Sequence, residues 1–188
     1  MNIPMSINAI KKPFGFHKQL KRKVLTAINR ERNIESLGYE QECDDNSKIR
    51  RLDWHKAKDL DTRKWCNILS PQLQMHFDEC AKNLGYEYAQ IEQLWFQQYI
   101  QNDNHPWHVH SSNYTGVYYL EFPQGSPPTQ IIDHNDKLYT IDAKEGDLII
   151  FPSFLIHRSP NVDHKVRKTI VSFNIDFYNI TKDMSSFE

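Results

Sequence analysis

From residue 86 onward the chain reads as a succession of short strands, and this pattern limits the fold more than any other feature. Residues 88–100 are aromatic-rich and roughly alternating, the period expected when a strand buries one face. Residues 107–110 and 115–122 read as strands around a Ser-Ser-Asn turn, and 123–128 as a loop. Residues 129–133 and 138–141 form a predicted hairpin across His134-Asn135-Asp136. Glu145-Gly146-Asp147 is a turn that launches 148–151, and 154–158 and 169–177 complete the set. Roughly eight short strands predict a β-sandwich or barrel.

The preceding residues follow a helical period. In residues 16–30, Leu20, Val24, Leu25 and Ile28 recur on one face. Ser70 as N-cap and Pro71 at the first helical position predict the start of a second helix. Leu73, Phe77, Cys80, Ala81 and Leu84 line its face, and Gly85 ends it. Residues 33–65 are polar and predict a loop with short helical pieces. The expectation is a mainly β fold with N-terminal helices: a helical support region over 1–85, a β core over 86–180 and a tail over 181–188. The length of 188 residues suits one compact domain.

Charge names no partner, since the formal net charge is −1. Residues 1–30 hold seven Lys or Arg and no acid, which is read as a solvated helix face rather than a nucleic-acid surface. Cys43, Cys66 and Cys80 are odd in number and form no CxxC pair, so reduced thiols in a cytosolic setting are expected. No apolar run reaches membrane-spanning length and no signal-peptide core opens the chain. The expected location is cytoplasmic, the host cytoplasm for a virus-encoded chain, with no membrane partner.

Chemistry concentrates in the histidines. Three of the nine fall in His105-Pro106-Trp107-His108-Val109-His110, and His157 follows the apolar run Leu148-Ile149-Ile150-Phe151. On a strand His108 and His110 point to the same side. Imidazole nitrogen suits a divalent first-row metal such as Fe(II) or Zn(II). An HxH pair alone is more often a surface cluster than a ligand pair; a third histidine ending a later apolar strand shifts the balance. Arg167 and Thr169 share a face of the last strand, and a guanidinium with a hydroxyl two residues on can hold a carboxylate. Lys168 lies on the opposite face and is the alternative clamp. Trp95, Phe96, Trp107 and Tyr114 flank the motif and are candidates for a pocket wall, although such aromatics are more often core.

The segments from His108 to Leu120, from Glu145 to His157 and from Arg167 to Asn174 together resemble the 2-oxoglutarate and Fe(II)-dependent oxygenases. The nearest pattern is a subgroup with an HxH motif found in tailed phages and marine bacteria. The likeness covers about residues 90–178 and is carried by element order and by the Gly-Asp-Leu-Ile-Ile-Phe-Pro-Ser run before His157. It implies a double-stranded β-helix, also called a jelly roll, with Fe(II) and 2-oxoglutarate as cofactors and molecular oxygen as co-substrate. His108 and His157 would be metal ligands. Arg167, assisted by Thr169, would bind the far carboxylate of 2-oxoglutarate. Tyr119 would reach the co-substrate in preference to Tyr118, since alternation sends the two to opposite faces.

This chain departs from the resembled pattern at one position. His110 stands where an Asp or Glu usually completes two histidines and a carboxylate. Three readings stay open. His110 replaces the acid in a three-histidine site. Alternatively, His110 is itself the first ligand, with Ser112 too weak a donor to complete the set. Or His110 stands behind the ligands and His105 or Asp103 closes the site. The first is preferred. The activity implied is hydroxylation of an unidentified substrate: a protein side chain, a nucleic acid or a small molecule. The rivals are a non-redox metalloenzyme, such as a three-histidine zinc hydrolase, and a metal-binding jelly roll without turnover.

Overall fold

A computed structural model describes residues 9–32, 34–39 and 46–181. Cys43 and residues 182–188 of the expected tail lie outside the described residues. The elements are β1 (Ile10–Pro13), α1 (His17–Arg30), β2 (Glu35–Leu37), β3 (Ile49–Leu52), a 3-10 turn (Trp54–Lys56), α2 (Lys64–Asn83), β4 (Tyr86–Tyr99), β5 (His105–His108), β6 (Tyr114–Glu121), β7 (Gln130–Ile132), β8 (Leu138–Thr140), β9 (Asp147–Pro152), β10 (Ile156–Ser159) and β11 (Lys168–Ile180). Seven strands form one sheet in the order β1-β9-β6-β11-β4-β3-β2, and four form a second in the order β5-β10-β7-β8. Each strand pair is antiparallel. The two sheets face each other as a double-stranded β-helix, with the helices on the outer face of the larger one.

Two cores follow from the alternation of β4, β6, β9 and β11. One face of the large sheet packs Leu94, Phe96, Tyr118, Val171 and Phe173 against Val24 and Ile28 of α1 and Leu69, Leu73 and Phe77 of α2. The other turns Tyr99, Val117, Tyr119, Ile149, Phe151 and Ile170 toward Ile131 and Leu155. The first eight residues of β11 are buried, because one side is covered by helices and the other by the small sheet.

The second helix differs from the Ser-Pro expectation. It begins at Lys64, and Pro71 lies inside it. Trp65, Cys66 and Leu69 are fully buried and extend the stripe of Leu73, Phe77 and Cys80 backwards by two turns. That burial outweighs the bond lost at the exposed proline. The stretch 33–65 also holds more structure than expected, in β2, β3 and the 3-10 turn. Asp53 ties it down: its buried carboxylate accepts from Arg63 at 2.8 Å, Trp65 Nε1 at 2.9 Å and the Phe96 amide at 2.9 Å. Arg51 reaches the end of α1 and donates to the carbonyls of Ile28 and Glu31, where a cation complements the helix C-terminus.

Candidate metal centre and its cleft

Antiparallel pairing of β5 and β10 sets His108 directly opposite His157. Both side chains point between the sheets, since His157 is buried while its neighbours Ile156 and Arg158 face outward. His110 lies just past β5 rather than on it. Its amide donates to the Ser153 carbonyl at 3.0 Å, in the turn that leads from β9 into β10, and this bond carries the His-x-His spacing beyond the strand end. One potential ligand atom from each of His108, His110 and His157 lies within 4.8 Å of the others. The ring centroids are 4.2 Å apart for His108 and His157, and 5.1 Å from His110 to each.

The protonation of two of the rings follows from their partners. His108 Nδ1 stands 2.8 Å from the Pro106 carbonyl, and His157 Nδ1 stands 2.8 Å from the Leu155 carbonyl. A carbonyl only accepts, so each Nδ1 donates and Nε2 is left as the ligand atom. Burial pushes the His157 ring down to about 2 and the His110 ring to about 4, with repulsion from His108 adding to both. His110 and His157 are therefore neutral at pH 7, the form that binds a metal. The donor set fits a divalent first-row ion.

Asp103 does not close the site. It is fully buried and accepts from the Arg50 and Ile100 amides and from the Tyr39 hydroxyl. His105 stacks on His108 with centroids 3.9 Å apart. Among the described residues, no Asp or Glu lines the cleft around the three histidines. Its walls include Trp95, Gln97, Thr115, Val117, Ile170 and Ser172, and its empty space is about 370 Å³ including the open mouth. Trp95 packs against His110 at 5.8 Å and is flanked in turn by Trp54. Of the other aromatics flanking the motif, Phe96 belongs to the helix-side core and Trp107 is partly exposed beneath the Arg158 guanidinium.

The structure does not bring the predicted clamp to this cleft. Arg167 precedes β11 and pairs two-pronged with Glu121, at 2.8 and 2.9 Å. Thr169 donates to the same carboxylate at 2.7 Å. The two residues do grip a carboxylate, but it is the chain's own and lies on the helix side of the sheet. Alternation instead turns Lys168 inward with Ile170 and Ser172. Its ammonium is buried, donates to Ser159 Oγ at 2.7 Å and the Pro127 carbonyl at 3.0 Å, and sits 4.8 Å from the centre of the Tyr99 ring. No carboxylate pairs with it among the described residues. Burial pushes its pKa down to about 7. The Tyr99 hydroxyl is buried beside it without a well-formed hydrogen bond. A buried cation without a counter-charge, and a hydroxyl with only a weak contact to Ser159, are left for an acidic ligand to satisfy. Tyr119 does face this interior, where its hydroxyl donates to Thr129 Oγ1 at 2.8 Å and accepts from the Thr129 amide at 3.1 Å. Tyr118 faces the helices and meets His17. Sequence reasoning missed Ser159 and Tyr99; counting the alternation back from Ser172 would have turned Lys168 inward.

No protein-family model and no curated protein matches the sequence. Solved structures do match over most of the chain. A prolyl-4-hydroxylase from Pseudomonas putida aligns at a TM-score of 0.63 and 14% identity, covering 90% of this chain and 93% of that one. An oxidoreductase of the 2OG-Fe(II) oxygenase family from Burkholderia pseudomallei aligns at 0.69 and 10% identity, covering 93% and 88%. HygX from Streptomyces hygroscopicus, with nickel and 2-oxoglutarate bound, aligns at 0.65 and 8% identity, covering 90% and 83%. At these identities the likeness is one of fold: the chain folds as the 2-oxoglutarate and Fe(II)-dependent oxygenases do, with a cluster of three histidines between its sheets.

Proposed function

We propose that the protein is a non-haem Fe(II) and 2-oxoglutarate-dependent dioxygenase that hydroxylates a substrate not yet identified. The observation that carries this reading is a three-histidine cluster in a cleft whose wall includes Ser159, with the buried Lys168 ammonium, which has no carboxylate partner, bonded to that Ser159 hydroxyl. His108, His110 and His157 would hold the metal. Lys168, with Ser159 and the Tyr99 hydroxyl, would take the far carboxylate of 2-oxoglutarate in place of Arg167 and Thr169. Tyr119 supports that end of the cleft through Thr129. With both cofactors bound, oxygen would convert 2-oxoglutarate to succinate and carbon dioxide and pass one oxygen atom to a substrate C–H bond. The chain's part is to fix the two imidazole tautomers through Pro106 and Leu155, to orient the dicarboxylate through Lys168 and to exclude water with Trp95, Phe151 and Ile170.

The two rivals make different predictions. A zinc hydrolase has no use for Lys168, and a module without turnover makes no succinate. The expected result is that 2-oxoglutarate raises the melting temperature only when metal is present, and that Fe(II), air and 2-oxoglutarate yield succinate. A metal-dependent stabilisation by 2-oxoglutarate without succinate would favour the silent module. Metal binding with no response to 2-oxoglutarate would favour the hydrolase.

A further inference from the structure

We infer that the groove between α1 and the first turns of α2 binds a short phosphate chain, the group shared by nucleotides and inorganic polyphosphates, through Arg22, Lys23, Arg30 and Lys64. This groove lies on the helix side of the large sheet, away from the histidines, and does not depend on the proposed metal chemistry. It encloses about 480 Å³, within the roughly 300–1,000 Å³ of small-ligand sites. Its shape follows from helix geometry. Arg22, Thr26 and Arg30 fall on one i, i+4 row of α1, and Lys23 and Ala27 on the next. Small side chains at Thr26 and Ala27 leave a hollow between long cations, and Lys64 and Ile68 of α2 form the facing wall.

The charge in the groove is more than the basic character of residues 1–30. Of the seven Lys and Arg there, Lys11, Lys12 and Lys21 have acidic partners in Asp142, Glu79 and Glu145. Among the described residues, Arg22, Lys23, Arg30 and Lys64 have no ion pair. Glu31 is the one acid on the groove walls, so four positive charges face one negative. Arg30 also suits the last turn of α1, where a cation is favourable. Lys64 stands in the first turn of α2, where the helix dipole disfavours a cation and no acid offsets it. Like charges around a concave surface focus the field there, and an anion bearing several charges relieves their repulsion. Phosphate oxygens suit both the guanidinium forks and the ammonium groups. A nucleic-acid strand would need a basic track running on from the groove. Lys21, the next cation along α1, is already held by Glu145.

The test is isothermal titration of the full chain with inorganic tripolyphosphate at about 0.15 M salt, where diffuse attraction between exposed charges is screened. Lys23→Glu and Lys64→Glu each reverse one cation, one from each helix. Lys165→Glu makes the same change of charge at an exposed position outside the groove. We expect saturable binding in wild type, affinity weaker by about tenfold or more in each groove variant, and affinity within about twofold of wild type in Lys165→Glu. Bound tripolyphosphate should also raise the melting temperature of wild type. Should a Glu variant fail to fold by circular dichroism, Lys23→Gln and Lys64→Gln replace it, with an expected loss of about threefold or more. ATP in a parallel titration separates the two sources: tighter binding than tripolyphosphate assigns a nucleotide, and equal binding assigns the phosphate chain alone. No saturable binding of tripolyphosphate to wild type, equal losses in all three charge reversals, or tighter binding of a single-stranded oligonucleotide through the same two lysines would overturn the inference. The proposed function stands or falls separately, on the response to metal and 2-oxoglutarate.

Discussion

The Lys168 ammonium donates to Ser159 Oγ at 2.7 Å, and Ser159 lies two residues beyond His157 on β10. One strand thus carries both a candidate metal ligand and the hydroxyl that steadies a buried cation. The spacing between the histidine cluster and the Lys168 ammonium is set by this strand and its neighbours rather than by loops.

Lys168 and Arg167 are adjacent in sequence but act on opposite sides of the sheet. Lys168→Met should reduce 2-oxoglutarate affinity by about a hundredfold, in line with the ~2–3 kcal/mol carried by a charged hydrogen-bonded contact. Arg167→Met should leave that affinity within about twofold, since its partner is Glu121. Isothermal titration of the metal-loaded protein reads both.

Lys168 also makes stability depend on pH. Its pKa is lowered from 10.5 to about 7 by burial. Between these values the unfolded chain holds a proton that the folded chain has lost, so stability without ligand should rise with pH from about 7 to about 10.5. Below pH 7 the folded protein carries the whole cost of the buried ammonium. Lys168→Met should remove this dependence and stabilise the ligand-free protein near neutrality by on the order of 1–3 kcal/mol. Urea melts of both proteins across this range test it.

The Tyr99 hydroxyl has no well-formed partner in the ligand-free cleft. Tyr99→Phe should therefore be neutral or slightly stabilising, yet weaken 2-oxoglutarate binding by a factor of about five to ten, the worth of one hydrogen bond of ~1 kcal/mol. Parallel thermal melts and ligand titrations separate the two effects.

Asp53 holds the segment before α2 onto the large sheet through a buried pair with Arg63 at 2.8 Å. Asp53→Ala would leave that guanidinium buried without its counter-charge and should cost about 3–5 kcal/mol. The effect should appear as a lower melting temperature. Metal affinity measured below that temperature should be retained, because the pair lies on the helix side of the sheet.

Much of this arrangement was legible in the sequence. Strand alternation and the turn residues gave the β core, and the spacing of His108, His110 and His157 gave the histidine cluster. The limits were also physical. Pro71 is a good helix starter in isolation, but the burial of Trp65 and Leu69 extends α2 past it. β1, β2 and β3 are short edge or near-edge strands whose sequences carry little alternation, and the pairing of β1 with β9 and of β3 with β4 is a tertiary event. Arg167 and Lys168 differ by one residue, and which faces the cleft depends on where β11 enters its register. Alternation counted back from Ser172 favours Lys168, whereas the register shift between Thr169 and Ile170, beside Glu121 and Tyr119, arises in the pairing with β6 and not in the local pattern.

The central claim is that one cleft binds metal through His157 and 2-oxoglutarate through Lys168. An anaerobic titration with Fe(II) and 2-oxoglutarate tests it most directly, through the visible charge-transfer band of a metal chelated by the keto acid. Wild type should develop the band at stoichiometric metal. His157→Ala should lose it, and Lys168→Met should need far more 2-oxoglutarate to reach it, while Arg167→Met behaves as wild type. Absence of the band in wild type, or its persistence in His157→Ala, would contradict the account.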